Sequence, residues 1–238
     1  MEGIVNAKKI ALFLSICSLP AIAAENGFYT QANLGYAAGV APGGNFEQNT
    51  LGNSAVYGAS LGYRFDEHLR ADFGIDFRNG FENQFSVEEE TQNKRGNQVT
   101  YTDTQTTKVK SVSAMFNVYY DIATINKITP YAMLGAGVAR NQTTSNTGVF
   151  SAYSDGSPNS HYSFSNGTHC NFAWKLGAGA QYQLNTKASV DLHYQYVNLG
   201  KFRTGNIMTT GSGRKFVHPN LEGKIQSHEV VLGLAYKL

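Results

Sequence analysis

Residues 69–78 read LRADFGIDFR, and every second residue is apolar: Leu69, Ala71, Phe73, Ile75 and Phe77. Between them lie Arg70, Asp72, Gly74, Asp76 and Arg78. A period of two sends alternate side chains to opposite faces of a β-strand. This segment therefore has one wholly apolar face and one face with four charges. A fold that accepts it must offer oil to one side and a polar, charge-neutralising environment to the other.

The same alternation recurs at 28–36, 55–65, 109–120, 129–140, 169–183, 188–197 and 227–238, so eight strands are predicted in all. Their apolar faces include Leu61 and Tyr63, Phe116 and Val118, Leu134 and Val138, Phe172 and Trp174, Leu192 and Tyr194, and Leu232 and Leu234. The reverse faces carry Arg64, Arg70, Asp72, Asp76, Arg78, Lys175, Asp191, His193 and Glu229. Connections 66–68, 121–128 and 184–187 are short, whereas 37–54, 79–108, 141–168 and 198–226 are long and rich in Asn, Gly, Thr, Ser and Gln, which reads as exposed loops. No internal repeat stands out.

Alternating short and long connections are those of an up-and-down barrel whose two ends meet different surroundings, with short periplasmic turns and long extracellular loops. A soluble sandwich would bury the apolar faces against each other and leave the charges in water. Against that stand the strand lengths, which match the 9–11 residues of a tilted membrane strand. Aromatic residues also gather near strand ends: Tyr63, Phe65, Tyr120 and Tyr182 toward one rim, and Phe77, Phe172, Trp174 and Tyr196 toward the other. Such rings favour the lipid interface. In hydrocarbon every backbone N–H and C=O must pair, so the sheet must close. The expected fold is all-β: an eight-stranded antiparallel transmembrane barrel in the outer membrane of a Gram-negative bacterium.

The start of the chain reads as an export signal. Lys8 and Lys9 precede the apolar run IALFLSICSLPAIA, and Ala21, Ala23 and Ala24 form a small-residue cleavage site. Residues 1–23 are thus expected to be a signal peptide, cut after Ala23 or Ala24, with the barrel domain over 24–238. Cleavage removes Cys17 and leaves Cys170 alone, so no intrachain disulfide is expected. Lysine plus arginine falls from 19 to 17 and aspartate plus glutamate from 17 to 16. A net charge of about +1 gives no argument for nucleic acid.

An eight-stranded barrel is just wide enough to be filled by side chains. The inward charges Arg64, Arg70, Arg78 and Lys175 against Asp72, Asp76, Asp191 and Glu229, with His193 and Tyr131 beside them, are expected to form an ion-pair network that plugs the lumen. Interior glycines leave room for these long side chains. Asp191 and His193 share a face by simple strand alternation, and no catalysis is assigned to them. His161, His169, His218 and His228 are scattered without zinc-site spacing, so neither a metal nor another cofactor is expected. The long connections, with aromatic residues among Ser, Gly and Asn, make an adaptable binding surface.

Several stretches resemble the small opacity-type, OmpA-like outer membrane proteins: YGASLGYRFDEHLRADFGIDF at 57–77, FNVYYDI at 116–122, ITPYAMLGAGVA at 128–139 and KLGAGAQYQLNTKASVDLHYQYVNLG at 175–200. The closing VVLGLAYKL resembles the terminal strand read by the barrel-insertion machinery, with Leu238 where an aromatic residue is usual. Arg70, Ala71 and Asp72 after a short turn resemble the rickettsial adhesins of this family. HYQYVN at 193–198 has Tyr where the outer-membrane lipid A deacylases place their Ser. The resemblance implies a surface antigen or adhesin, and a single closed barrel, having no free edge, is expected to be a monomer. Its partners would be outer membrane lipids, the insertion machinery and a host-cell surface molecule met through the loops. A structural envelope protein or a narrow small-solute porin are the alternatives.

Overall fold

The computed structural model describes residues 27–40, 49–92, 98–152 and 160–238. The expected signal peptide and its cleavage site lie outside the described residues, as do Lys94 and Arg95 in the second long connection. The strands are β1 (Phe28–Gly39), β2 (Asn49–Thr50), β3 (Asn53–Arg64), β4 (Leu69–Gln92), β5 (Gln98–Asp121) and β6 (Ile128–Ala152). They continue with β7 (Ser160–Phe164), β8 (Thr168–Gln183), β9 (Ala188–Arg203), β10 (Ile207–Thr210), β11 (Lys215–Val217) and β12 (Glu222–Lys237). Every alternating segment lies in a strand, apart from Phe65 and Leu238 at two of their ends.

All strand pairs are antiparallel. β1 pairs with β3 and with β12, β3 with β4, β4 with β5, β5 with β6, β6 with β8, β8 with β9, and β9 with β12. The apolar faces point away from the interior of this barrel-like sheet. Phe73 is 53% exposed, Leu134 59% and Phe172 68%. A continuous exposed apolar surface of this kind marks a face that meets lipid or a partner. Rings bracket it. Tyr63 contacts Phe28 and Phe65 near the short turns, and Tyr57 stacks on Phe77 and Trp174 meets Tyr196 toward the other end.

The second and third long connections are strand rather than loop over much of their length. β4 runs on to Gln92, β5 begins at Gln98 and β6 continues to Ala152, and the three stay paired. Tyr101 and Phe150 stack across the β5–β6 pair with ring centroids 5.3 Å apart. The polar composition is misleading here because threonine is β-branched and suits a pleated surface. Thr100, Thr102, Thr104 and Thr106 alternate along β5. β7, β10 and β11 extend the sheet from β6, and β2 adds to β4. Tyr162 on β7 donates a 2.5 Å hydrogen bond to Asp103 on β5, and burial together with that carboxylate pushes the phenol's pKa up.

The inward face is not polar throughout, as its charges suggested. Leu51, Val56, Phe81, Val109, Leu199, Phe202 and Ile225 belong to a buried apolar cluster toward the end with the long connections. Register shifts between Asn79 and Phe81, between Lys108 and Val109, and between Lys224 and Gln226 place an extra residue at Gly80, near Thr144 and near Gly200. A bulge advances the alternation by one and re-aims the side chains beyond it. Phe81 and Phe202 turn inward by this means.

Candidate functional site

The interior holds two polar layers below that apolar cluster. In the central layer Arg78 on β4 reaches Glu229 on β12 through two parallel hydrogen bonds, Nε to Oε1 at 2.7 Å and Nη2 to Oε2 at 2.9 Å. Both residues are fully buried. Arg78 Nη1 also donates to Ser113 Oγ, while Gln195 Nε2 and Ser227 Oγ donate to the Glu229 carboxylate. Asp76 lies 3.8 Å from Arg78 and 3.8 Å from Lys175. Charge-assisted, bidentate pairing of this kind is the arrangement that makes a buried ion pair tolerable. Gly135 faces this layer with no side chain of its own, and its space is taken by Asn117 and by the Lys175 stem.

The second layer lies nearer the short turns. Asp121 at the end of β5, not singled out in the sequence, receives both Arg64 Nη1 and Arg70 Nε at 3.1 Å. Arg70 is buried with its guanidinium 4.3 Å from the Tyr119 ring centroid and 4.5 Å from that of Tyr131. Two flanking rings favour a cation. Asp72 and Asp191 are held by tyrosine, serine, asparagine and histidine side chains instead of arginine or lysine. Asp72 accepts from Ser60, Asn117, Tyr119 and Tyr29. Asp191 accepts from Tyr131 at 2.8 Å and lies 2.7 Å from His193 Nδ1. The structure thus brings Arg78 to Glu229 and Lys175 to Asp76, but sends Arg64 and Arg70 to a carboxylate the alternation pattern had left in a turn. Asp121 was legible only as the last inward position of its strand.

Asp191 and His193 meet no serine partner in these contacts; the hydroxyl that joins them is the Tyr131 phenol, which donates to the carboxylate. Ser60 stands in Gly58-Ala59-Ser60-Leu61-Gly62, the letters of a nucleophile elbow, yet it lies within β3 and donates to Asp72. The elbow chemistry needs a strand-to-helix turn that exposes the serine. Among the described residues no group of three or more His, Cys, Asp or Glu is placed to hold a metal ion. Cys170 is free and exposed on β8.

Between the layers, a central void lined by Asp72, Asp76, Lys175 and His193 measures about 10 Å³, space for a single water at most. A second, larger vestibule of about 270 Å³ opens at the end with the short turns and is lined by Arg64, Arg70, Lys187 and Lys237.

A family model described as "Outer membrane protein beta-barrel domain" matches residues 10–237. An uncharacterized protein of Brucella abortus (strain 2308) is 26% identical over 163 residues, covering 65% of this chain and 55% of the relative. A Rickettsia bellii (strain OSU 85-389) protein named "Putative adhesin" is 28% identical over 122 residues, covering 51% of this chain and 50% of its own length. The chain therefore spans about half the length of the curated relatives it matches. Among solved structures, Neisserial surface protein A aligns with a TM-score of 0.49 at 18% identity, over 89% of this chain and 97% of that one.

Proposed function

This chain belongs to the outer membrane protein beta-barrel domain family, and from that premise we propose that it is an adhesin or surface antigen carried on a closed, plugged barrel of eight strands. In this reading residues 1–23 direct export and are removed, and the mature chain is inserted into the outer membrane of a Gram-negative cell. Outer membrane lipids surround the apolar faces, and the protein is a monomer because a closed sheet leaves no edge to pair.

The observation that carries the proposal is the length of β4, β5 and β6. They span 24, 24 and 25 residues, more than twice what a tilted crossing requires. The surplus, joined by β7, β10 and β11, forms a paired sheet beyond the bracketing rings. A protein that only sealed or stiffened the envelope has no need of such a projection. The plug is supported by the Arg78–Glu229 and Arg70–Asp121 pairs, by the apolar cluster above them and by the small central void; together these argue against a solute pore. Closure is supported by the pairings of β6 with β8 and β1 with β12.

The test exchanges the projecting parts of β4–β5 and β6–β8 for short turns and measures attachment of intact cells to host cells. Loss of attachment with normal surface insertion is expected, and unchanged attachment would overturn the adhesin reading. Planar-bilayer recordings of the unaltered protein should stay silent; a steady, reproducible conductance would support the porin alternative.

A further inference from the structure

The vestibule at the end with the short turns has a composition that the plug does not explain. Its lining includes four cationic side chains, Arg64, Arg70, Lys187 and Lys237, and no carboxylate among its described lining residues. The carboxylate behind it, Asp121, is shared by two guanidinium groups at 3.1 Å each. Asp72 and Asp191 of the same layer are engaged by Tyr29, Ser60, Asn117, Tyr119, Tyr131 and His193 and do not line the vestibule, so its described lining presents cations and no carboxylate. Arg70 is 1% exposed, with its Nε bound to Asp121, its faces covered by Tyr119 and Tyr131 and the Tyr29 phenol beside it, and its Nη2 makes no hydrogen bond of ordinary geometry. A buried charged donor without an acceptor is costly, and such groups are normally satisfied.

We propose that this vestibule binds a small oxyanion, a carboxylate or phosphate carried on a polar body. A guanidinium presents a planar fork that fits either group. Ser189 on the wall and the amide nitrogen of Gln181, whose Oε1 accepts from Arg64 Nη2 at 3.1 Å, supply neutral polar groups for the remainder of such a ligand. Lys187 and Lys237 at the exposed rim attract it from solution. The ligand stops there, because the central void beyond Arg70 measures only about 10 Å³. The vestibule is thus a binding site rather than the mouth of a path. Its geometry stands independently of the adhesin reading; only the compartment that supplies the ligand, the periplasm, rests on the proposed orientation.

The test uses the full mature chain folded in zwitterionic detergent, titrated separately with inorganic phosphate and with acetyl-alanyl-alanine, a dipeptide ending in a carboxylate. The readout is the guanidinium Nε–H NMR signals of Arg64 and Arg70. Saturable shifts with at least one probe are expected, and which probe binds more tightly identifies the oxyanion class. Arg64→Gln combined with Lys187→Gln should weaken binding about tenfold or more, and Lys215→Gln on β11 should leave it unchanged. If the first variant does not fold, Lys187→Gln with Lys237→Gln, both at exposed positions, gives the same comparison with a smaller loss. No saturable shift with either probe, or equal affinity in the vestibule variants, would overturn the proposal. Cell attachment plays no part in this measurement, so its failure and that of the adhesin reading are separate results.

Discussion

Arg78 and Glu229 lie 151 positions apart in the chain and meet in the barrel interior through two hydrogen bonds of 2.7 and 2.9 Å. Neither side chain touches solvent. Removing one partner strands the other charge, whereas removing both leaves Gln195 and Ser227 without their shared acceptor and Asp76 with Lys175 as its neighbouring cation, a smaller cost than an unpaired buried charge. Glu229→Leu alone should destabilise the barrel by about 3–5 kcal/mol, and Arg78→Met together with Glu229→Leu should recover most of that loss. Urea unfolding in phospholipid vesicles, read by tryptophan fluorescence of Trp174, measures both. Equal losses in the single and double variants would show that the pair is not coupled.

The exposed apolar face makes the opposite demand. Leu134 on β6 points outward at 59% exposure, in register with Leu176 of β8 and Val118 of β5. Leu134→Arg should cost about 2–4 kcal/mol in a bilayer, the range for arginine near the midplane. Leu184→Arg, in the short turn after β8, should cost about 0–1 kcal/mol, as near an interface. The same urea titration distinguishes the two, and equal penalties would place Leu134 outside the hydrocarbon.

The outer surface was legible in the sequence because it obeys one local rule: Phe73, Phe116, Leu134 and Leu232 are apolar residues at alternate positions, and that rule needs no knowledge of neighbours. The inner surface was legible only in composition. Which acid meets which base depends on where strands stand around the sheet, so Arg78 finding Glu229 and Arg70 finding Asp121 could not be read from either segment. The bulges at Gly80 and Gly200 were hidden for a different reason. Each adds a single residue, which inverts the alternation beyond it and brings Phe81 and Phe202 inside. The projecting sheet was mistaken for loop because Thr, Gln and Asn dominate it, although the threonines of β5 already alternate.

The short turn between β3 and β4 provides a pH-dependent element outside the apolar band. The Asp66 carboxylate accepts hydrogen bonds from the backbone N–H groups of His68 at 2.7 Å and Leu69 at 2.8 Å. These bonds hold its pKa below the usual carboxylate value. A folded-state pKa that is lowered gives stabilisation that is complete above the unfolded pKa and is lost as pH falls through the folded one. An NMR titration should show the Asp66 carboxyl midpoint below that of a free aspartate. The His68 and Leu69 amide shifts should follow the same curve. In Asp66→Asn they should be independent of pH below ~5. Amides that titrate unchanged in the variant would mean another group governs the turn.

Gly200 sits in the β9 bulge with a φ of 77°, and the Asn171 side chain occupies the space where a Cβ would project. Asn171 Nδ2 donates to the Lys201 carbonyl at 2.7 Å, and Asn141 Nδ2 donates to the Leu199 carbonyl at 2.8 Å, so the bulge is fastened on both sides. Gly213 has a similar φ of 80° with nothing within 4 Å of the corresponding position. The two glycines therefore separate backbone strain from steric conflict. Gly213→Ala should cost about 1–2 kcal/mol at most, the penalty for an L-residue in the left-handed region. Gly200→Ala should cost distinctly more, since Asn171 must also leave its place. That displacement releases the bulge which turns Phe202 inward, so proteolysis of the β9–β10 connection should accelerate in Gly200→Ala and not in Gly213→Ala. Matching losses at the two sites would mean that the packing of Asn171 contributes nothing to holding the bulge.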